Sequence, residues 1–426
     1  MDRTYESGAA ASPPSAPASP SIGYPTAGNP QTATPATKPG PWWYHMVTEE
    51  LRKVIADAGL TPDPSSASQL SAAIKALIAN DALFLKSNPR TVAFTKTAAG
   101  AASIKAGTKV FVFDKVITFA TDTAITMPTL TTGTDYSIWV SPAGAIQAVA
   151  DPFNAPASPP VTNARKIGGF HYGAVAPGTT VAGGSFATIG NGMIWTQGAV
   201  DALAGINAYS FWDLKFRCLG EQHGMALDPF TQSWAGVYFC SQDHITNGIS
   251  RYNVNVASGT VLPRIPLAYG GNGTANYTAG TWYNFEEISS SHGMRLPLLR
   301  EAMSAFYGVT ENQSLGGAAE TIPAAIRQPG YTSRIGVEQA TGHIWTWCQD
   351  SAARWDGVGG WAWYNNNGGR GQQYSYGSEQ AVRVLAGGLR GYAAFSGSRA
   401  SNWHASPWLS DWHIGLRAFG DLLILG

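Results

Sequence analysis

Charged side chains are scarce in this sequence. Asp, Glu, Lys and Arg make up 13% of its 426 residues, about half the usual share of a globular domain. The 27 basic and 27 acidic residues cancel, so no net field draws the chain to nucleic acid or to an anionic membrane. Cysteine is nearly absent too. Cys218, Cys240 and Cys348 are too few and too scattered for a disulfide framework or a zinc site. Their odd number points to reduced, buried thiols, with Cys218 and Cys240 left open as a neighbouring-strand pair. No apolar run reaches the length of a membrane span, so no membrane insertion is expected. The opening MDRTYESGAAASPP has no apolar stretch of the kind a secretory signal needs.

Catalytic signatures are missing as well. There is no HExxH, GxSxG, P-loop or CxxC, and no GxGxxG following a strand. GGRGQQ and GGNGTAN are rich in glycine but lack the lysine and the strand–loop–helix setting that cradles a phosphate. Glu286, Glu287 and His292 are neighbours in sequence and could in principle form an acid/base site; a helix entry and a structural turn describe them better. Asp350, Arg354 and Asp356 read as a solvated or salt-bridged loop, and His171 as a structural or surface histidine with no partner spacing. The sequence gives no reason to expect an enzyme. It implies no cofactor and leaves a structural metal ion open.

What the chain does have is tryptophan, concentrated at one end. Eight of its 15 lie between Gly342 and the C-terminus, interleaved with Gly, Ser and Asn. Rigid aromatics with small polar spacers are what binding surfaces use, because Trp and Tyr bring contact area at low entropic cost. More than half of these tryptophans are expected in the core, with an exposed minority in the loops.

A chain of this length should form two or three domains. Residues 1–45 form an arm rich in Pro, Ala and Ser, with nine prolines from Pro13 to Pro41; such a segment buries too little to order itself. Residues 46–82 hold two short helices. One carries Val47, Leu51, Val54 and Ile55 on one face with Gly59 to stop it, and the other carries Leu70, Ala73, Leu77 and Ile78. Neither has room for a core, so this segment is expected to oligomerise or to attach the chain to another protein. Residues 83–190 turn β-rich, with period-two alternation in TVAF, KVFVFDKVITF, YSIWV and AIQAV. In 191–426, LLREAMSAFYGV reads as a helix of about three turns ended by Gly308, and the rest as short strands between glycine-rich loops. The fold class expected is mainly β with short helices.

At SSSHGMRLPLLREAMSAFYGV, GHIWTWCQD, RVLAGGL, SGSRA and IGLRAF, the order of motifs resembles a known fold. It is the C-type-lectin-like fold shared by formylglycine-generating enzymes and the variable proteins of diversity-generating retroelements. The likeness covers roughly residues 205–426. HG-RLP and IW-WC specify only the fold. SGSRA followed by Trp403, then IG-R and a terminal DLLIL, is similar to the major tropism determinant family of phage receptor-binding proteins. PWWYHMVTEELRKVIADAG is similar to N-terminal segments of phage tail fibres. The oxidising enzymes of this fold need a cysteine pair near the C-terminus, and no cysteine follows Cys348, which argues against formylglycine generation. Arg390 departs from the tryptophan that the binding proteins often carry after the Gly-Gly pair.

The resemblance implies an α+β, C-type-lectin-like head that displays variable loops on a fixed scaffold. The scaffold would be Gly387, Gly388, Gly397, Ser398, Arg399, Trp403, Gly415 and Arg417. The variable, receptor-binding positions would be Leu389, Gly391, Tyr392, Ala393, Phe395, Asn402, His404, Ala405, Leu409, Asp411, His413 and Ile414. It further implies a homotrimer on a phage tail fibre or tail tip, joined through its N-terminus to other virion tail or baseplate proteins. The partner would be a host-surface protein or saccharide. The rival expectations are an enzyme of the same fold, or a purely structural virion protein whose aromatic C-terminus is buried between subunits.

Overall fold

In the computed structural model, the described residues are 10–17, 24–80, 83–113, 115–183, 186–187, 195–316, 324–351, 359–364, 373–377 and 381–425. The chain forms two compact units, one of residues 1–84 with 109–117 and the other of 85–108 with 118–426.

The first unit is built on two helices, Pro41–Asp57 and Gln69–Asn80. The first helix starts within the stretch expected to be arm. Pro41 explains the early start, because its fixed φ and missing N–H suit the first helical position. Gly59, at φ +75°, follows the last turn. Ile55 and Ala73 are buried, whereas Trp43, Tyr44, Met46 and Val47 lie exposed on the first helix. The hairpin of residues 109–117 belongs to this unit, and Phe111 N donates to Leu83 O at 2.9 Å.

The second unit is mainly β with short helices. Its largest sheet has eight strands, all paired antiparallel. They run in the order Met225–Asp228, Ser233–Gly236, Phe419–Ile424, Phe216–Cys218, Trp212–Asp213, Arg165–Tyr172, Thr134–Val140, Ile146–Ala150. The sheet crosses residue 190 without a break, since Trp212 pairs with Gly169 and Asp213 with Gly168. The last strand is inserted between two strands about two hundred residues earlier, so the chain's end is tied into its middle. A second sheet runs Ser401–Ala405, Arg383–Ala386, Trp345–Ser351, Ile414–Gly415, and its last pairing is parallel.

Between these sheets lies an aromatic core that includes Trp234, Trp345, Trp347, Phe239, Phe285, Phe306 and Phe419. Removing one such ring typically costs about 3–5 kcal/mol. All three cysteines are free and buried in it. Burial pushes the Cys218 thiol up to about 12 and raises Cys240 and Cys348 as well, so none is a ready nucleophile. Cys218 faces Met294 rather than Cys240, with its Sγ 3.6 Å from the methionine sulfur. The helix expected at LLREAMSAFYGV spans only Leu299–Ala305. Phe306 to Gly308 leave it as a turn, with Gly308 at φ +105° packed against the backbone of Arg334.

Candidate functional site

The strand Arg383–Ala386 is followed by a loop, 387–400, that returns in Ser401–Ala405. Its base is buried and bonded throughout. Gly387 and Gly388 adopt φ +96° and +89°, a region that L side chains enter only at a cost. A Cβ on Gly388 would also lie 2.4 Å from Ser396 Oγ and 2.7 Å from its Cα. Ser396 Oγ donates to Leu389 O, and Arg390 N donates to His343 O. From the other side Glu311 accepts from both the backbone N (2.9 Å) and the hydroxyl of Ser398.

Arg417 anchors the floor. Fully buried, it donates to the carbonyls of Gly236, Val237 and Glu338, each at 2.8 Å, and lies 4.1 Å over the Phe239 ring. Burial depresses its guanidinium to about 9, against the attraction of Glu338. Burial likewise raises the Glu338 carboxyl to about 7, although Thr332 donates to it and Arg327 and Arg417 favour its charge.

The tip of the same loop is open. Gly391, Tyr392, Ala393 and Phe395 are exposed, Phe395 by 78%. Tyr392 stands edge-on to Trp345 below it and to Phe395 beside it, with ring centroids at 6.0 and 6.4 Å. His404 is exposed, and Asn402, Leu409, Asp411 and His413 are half-buried. The segment carrying the last three is pinned at its base: Gly259 N donates to Asp411 O, Ser410 Oγ donates to Gly259 O, and Trp345 N donates to His413 O. His413 Nδ1 lies 3.0 Å from Asp411 Oδ1. Burial holds its imidazole below the ordinary value, against the opposing pull of Asp411.

Three residues expected at the surface are in the core instead. Leu389, Ala405 and Ile414 are buried in the cluster that holds Trp345 and Trp347. A bulge decides this for Ala405, because the pairing with Arg383–Ala386 shifts register between Asn402 and Ala405, and the parallel pairing to Trp345 decides it for Ile414. Two residues expected to be scaffold are exposed. Trp403 is half-exposed, its indole N–H donating to Ser401 Oγ, and Arg399 points to solvent. Gly387, Gly388, Gly397, Ser398, Gly415 and Arg417 are buried.

Sequence reasoning passed over Glu311, 87 residues from its partner Ser398, and the pair Tyr283–Trp408, whose ring centroids lie 4.6 Å apart at the surface. Glu286, Glu287 and His292 do not converge. The two glutamates sit on the helix Trp282–Ser291, where Glu287 accepts from Tyr277. His292 bonds to Glu221 and His244. Asp350 accepts from Leu299 N at 2.7 Å, while Arg354 and Asp356 lie outside the described residues. His171 bridges Asp135 and Tyr238 in the interior. Among the described residues, no group of His, Cys, Asp and Glu could hold a metal ion.

The chain is similar to known proteins over most of its length. The tail fiber receptor-binding protein of Bordetella phage BPP-1 is 40% identical over 356 residues, which span 80% of this chain and 85% of that one. The solved Major Tropism Determinant M1 variant is 39% identical with a TM-score of 0.66, covering 81% of this chain and 87% of its own. The chain belongs to the major tropism determinant family. A model of the family's second domain matches residues 92–196. The P3c variant of the same determinant superposes with a TM-score of 0.65 at 38% identity, over 81% of this chain and 87% of its own. Tail fiber protein S of Escherichia phage Mu is 35% identical over 78 residues, 18% of this chain and 15% of that protein.

Proposed function

We propose that this member of the family is a phage tail-fibre receptor-binding protein, carried on the virion tail, that engages a host-surface protein or saccharide through the tip of its C-terminal loops. The observation that carries the reading is the contrast within one loop. Tyr392 and Phe395 stand exposed on a base that is fully buried and hydrogen-bonded. A large apolar side chain held out by a rigid base is pre-organised for a partner, and its ordering cost is met by the fold. With Asn402, His404, Asp411 and His413 it forms the receptor surface. Gly391, Ala393 and Leu409 complete the variable set, whereas buried Leu389, Ala405 and Ile414 set its shape from beneath. Gly387, Gly388, Gly397, Ser398, Gly415 and Arg417 serve as scaffold, and Trp403 joins the exposed face.

The chain acts by binding rather than by catalysis, as a C-type-lectin-like head above a β-rich intermediate region. It works as a homotrimer. The open face of the first helix, with Trp43, Tyr44, Met46 and Val47, supplies contact area for other copies or for virion tail or baseplate proteins. A competition assay tests the reading. Purified chain added to host cells should block adsorption of the phage that carries it, and a Phe395→Ala, His404→Ala double variant should not. Equal blocking by the two proteins would move the receptor surface elsewhere on the molecule.

A further inference from the structure

Away from the loop tip, an open groove of about 560 Å³ is lined by Phe230, Arg300, Met303, Ser304, Tyr307, Arg334 and Arg399. Its walls come from separate elements. Arg300, Met303 and Ser304 share one face of the helix Leu299–Ala305, at i, i+3 and i+4. Phe230 stands at the turn joining the strands Met225–Asp228 and Ser233–Gly236. Arg334 is fixed by its backbone, whose N–H donates to Tyr307 O at 2.8 Å where Gly308 packs against it. Its guanidinium lies 4.2 Å over the Phe230 ring and 5.6 Å from that of Tyr307.

Three arginines thus face one groove whose lining includes no carboxylate. Among the described residues none of the three is ion-paired. In a chain of zero net charge this is a local concentration of unspent positive charge. Guanidinium forks match carboxylate, sulfate and phosphate oxygens two at a time. The groove is open to solvent rather than enclosed, which suits a polymer lying across it better than a small ion held in a pocket. Phe230, 68% exposed, and Met303 offer apolar faces to the C–H faces of sugar rings.

We infer that the groove of Arg300, Arg334, Arg399, Phe230 and Tyr307 is a second binding site, for an acidic saccharide chain. It is distinct from the loop-tip surface. Binding there is non-covalent and falls with added salt, as contacts between exposed charges do.

The test uses the full chain and dextran sulfate as the probe, with neutral dextran and polyglutamate beside it, titrated at fixed low salt. The expected result is saturable binding of dextran sulfate, weakened at least tenfold in the Arg300→Gln, Arg334→Gln double variant. An Arg90→Gln change, a charge loss at an exposed site elsewhere, should leave it unaltered. Thermal unfolding of each variant confirms that the fold is kept, and Arg399→Gln, on a different element, serves if the double variant unfolds. Equal weakening by Arg90→Gln would show unspecific charge attraction and overturn the proposal. So would binding that survives in the double variant and in Arg399→Gln, equal binding of neutral dextran, or tighter binding of polyglutamate, the last pointing to an acidic peptide.

Discussion

The base and the tip of the loop at 387–400 are neighbours in sequence and opposites in physics. At the base, Gly387, Gly388, Ser396 and Ser398 are buried and bonded, and close by Arg417 satisfies three carbonyls at once. At the tip, Tyr392 and Phe395 are exposed, and Tyr392 stands edge-on to Phe395 and to Trp345. Stability therefore resides in the base, and the proposed recognition in the tip. A surface built this way can change its tip without endangering its fold, because an exposed side chain contributes little to stability.

The largest effect should come from Arg417. Arg417→Ala takes a buried donor from three carbonyls and removes one of the two arginines that favour the charge of Glu338, a loss that typically costs about 3–5 kcal/mol. Soluble yield and thermal unfolding would read the loss, and adsorption should fall for every host alike. If Arg417→Ala unfolded at the wild-type temperature, the base would not be the source of stability. Gly388→Ala comes next: its Cβ would meet Ser396 in a left-handed backbone, at a cost of about 1–3 kcal/mol. Glu311→Gln is milder. It exchanges two charge-assisted bonds for weaker ones and should lower stability by about 1 kcal/mol. Each of these changes should leave the tip's contacts intact in the molecules that remain folded.

A separate effect is in pH dependence. Glu338 is raised to about 7 in the fold from an ordinary value of 4.5. Its contribution is fully present below about pH 4.5 and is lost as pH rises through 7. His343 is depressed to about 3 and His244 to about 4, mainly by burial. They act in the opposite sense, adding stability as pH rises toward 6.5. Glu338→Gln should therefore steepen the rise in stability with pH between 4.5 and 6.5, by up to about 1.4 kcal/mol per pH unit. An unchanged profile in chemical denaturation at several pH values would mean that Glu338 does not titrate in this range.

Much of the fold was legible because its signals are local. YSIWV alternates and becomes the strand Thr134–Val140, and the Gly387–Gly388 pair marks a turn that only glycine enters cheaply. The early start of the first helix was hidden in an aromatic stretch behind a proline-rich arm. The site was less legible, because side-chain direction is set by pairing across sheets. Ala405 is buried and Trp403 exposed two residues apart on one strand, where plain alternation would put both on one face; a bulge in the pairing with Arg383–Ala386 turns them apart. Glu311 and Ser398 are 87 residues apart, and no spacing rule links them. That residues 85–108 and 118–426 form one unit was hidden as well, because the eight-stranded sheet takes the strand Phe419–Ile424 from the chain's end.

The separation of base from tip is tested most directly by Tyr392→Ala and Phe395→Ala, each measured for both thermal unfolding and adsorption to host cells. Truncating a binding hot spot costs about 2 kcal/mol or more, roughly thirtyfold in affinity. The account predicts that loss in adsorption for at least one of the two, with unfolding within about 0.5 kcal/mol of wild type for Phe395→Ala. Wild-type adsorption by both variants, or destabilisation of the size expected for a core ring, would contradict it.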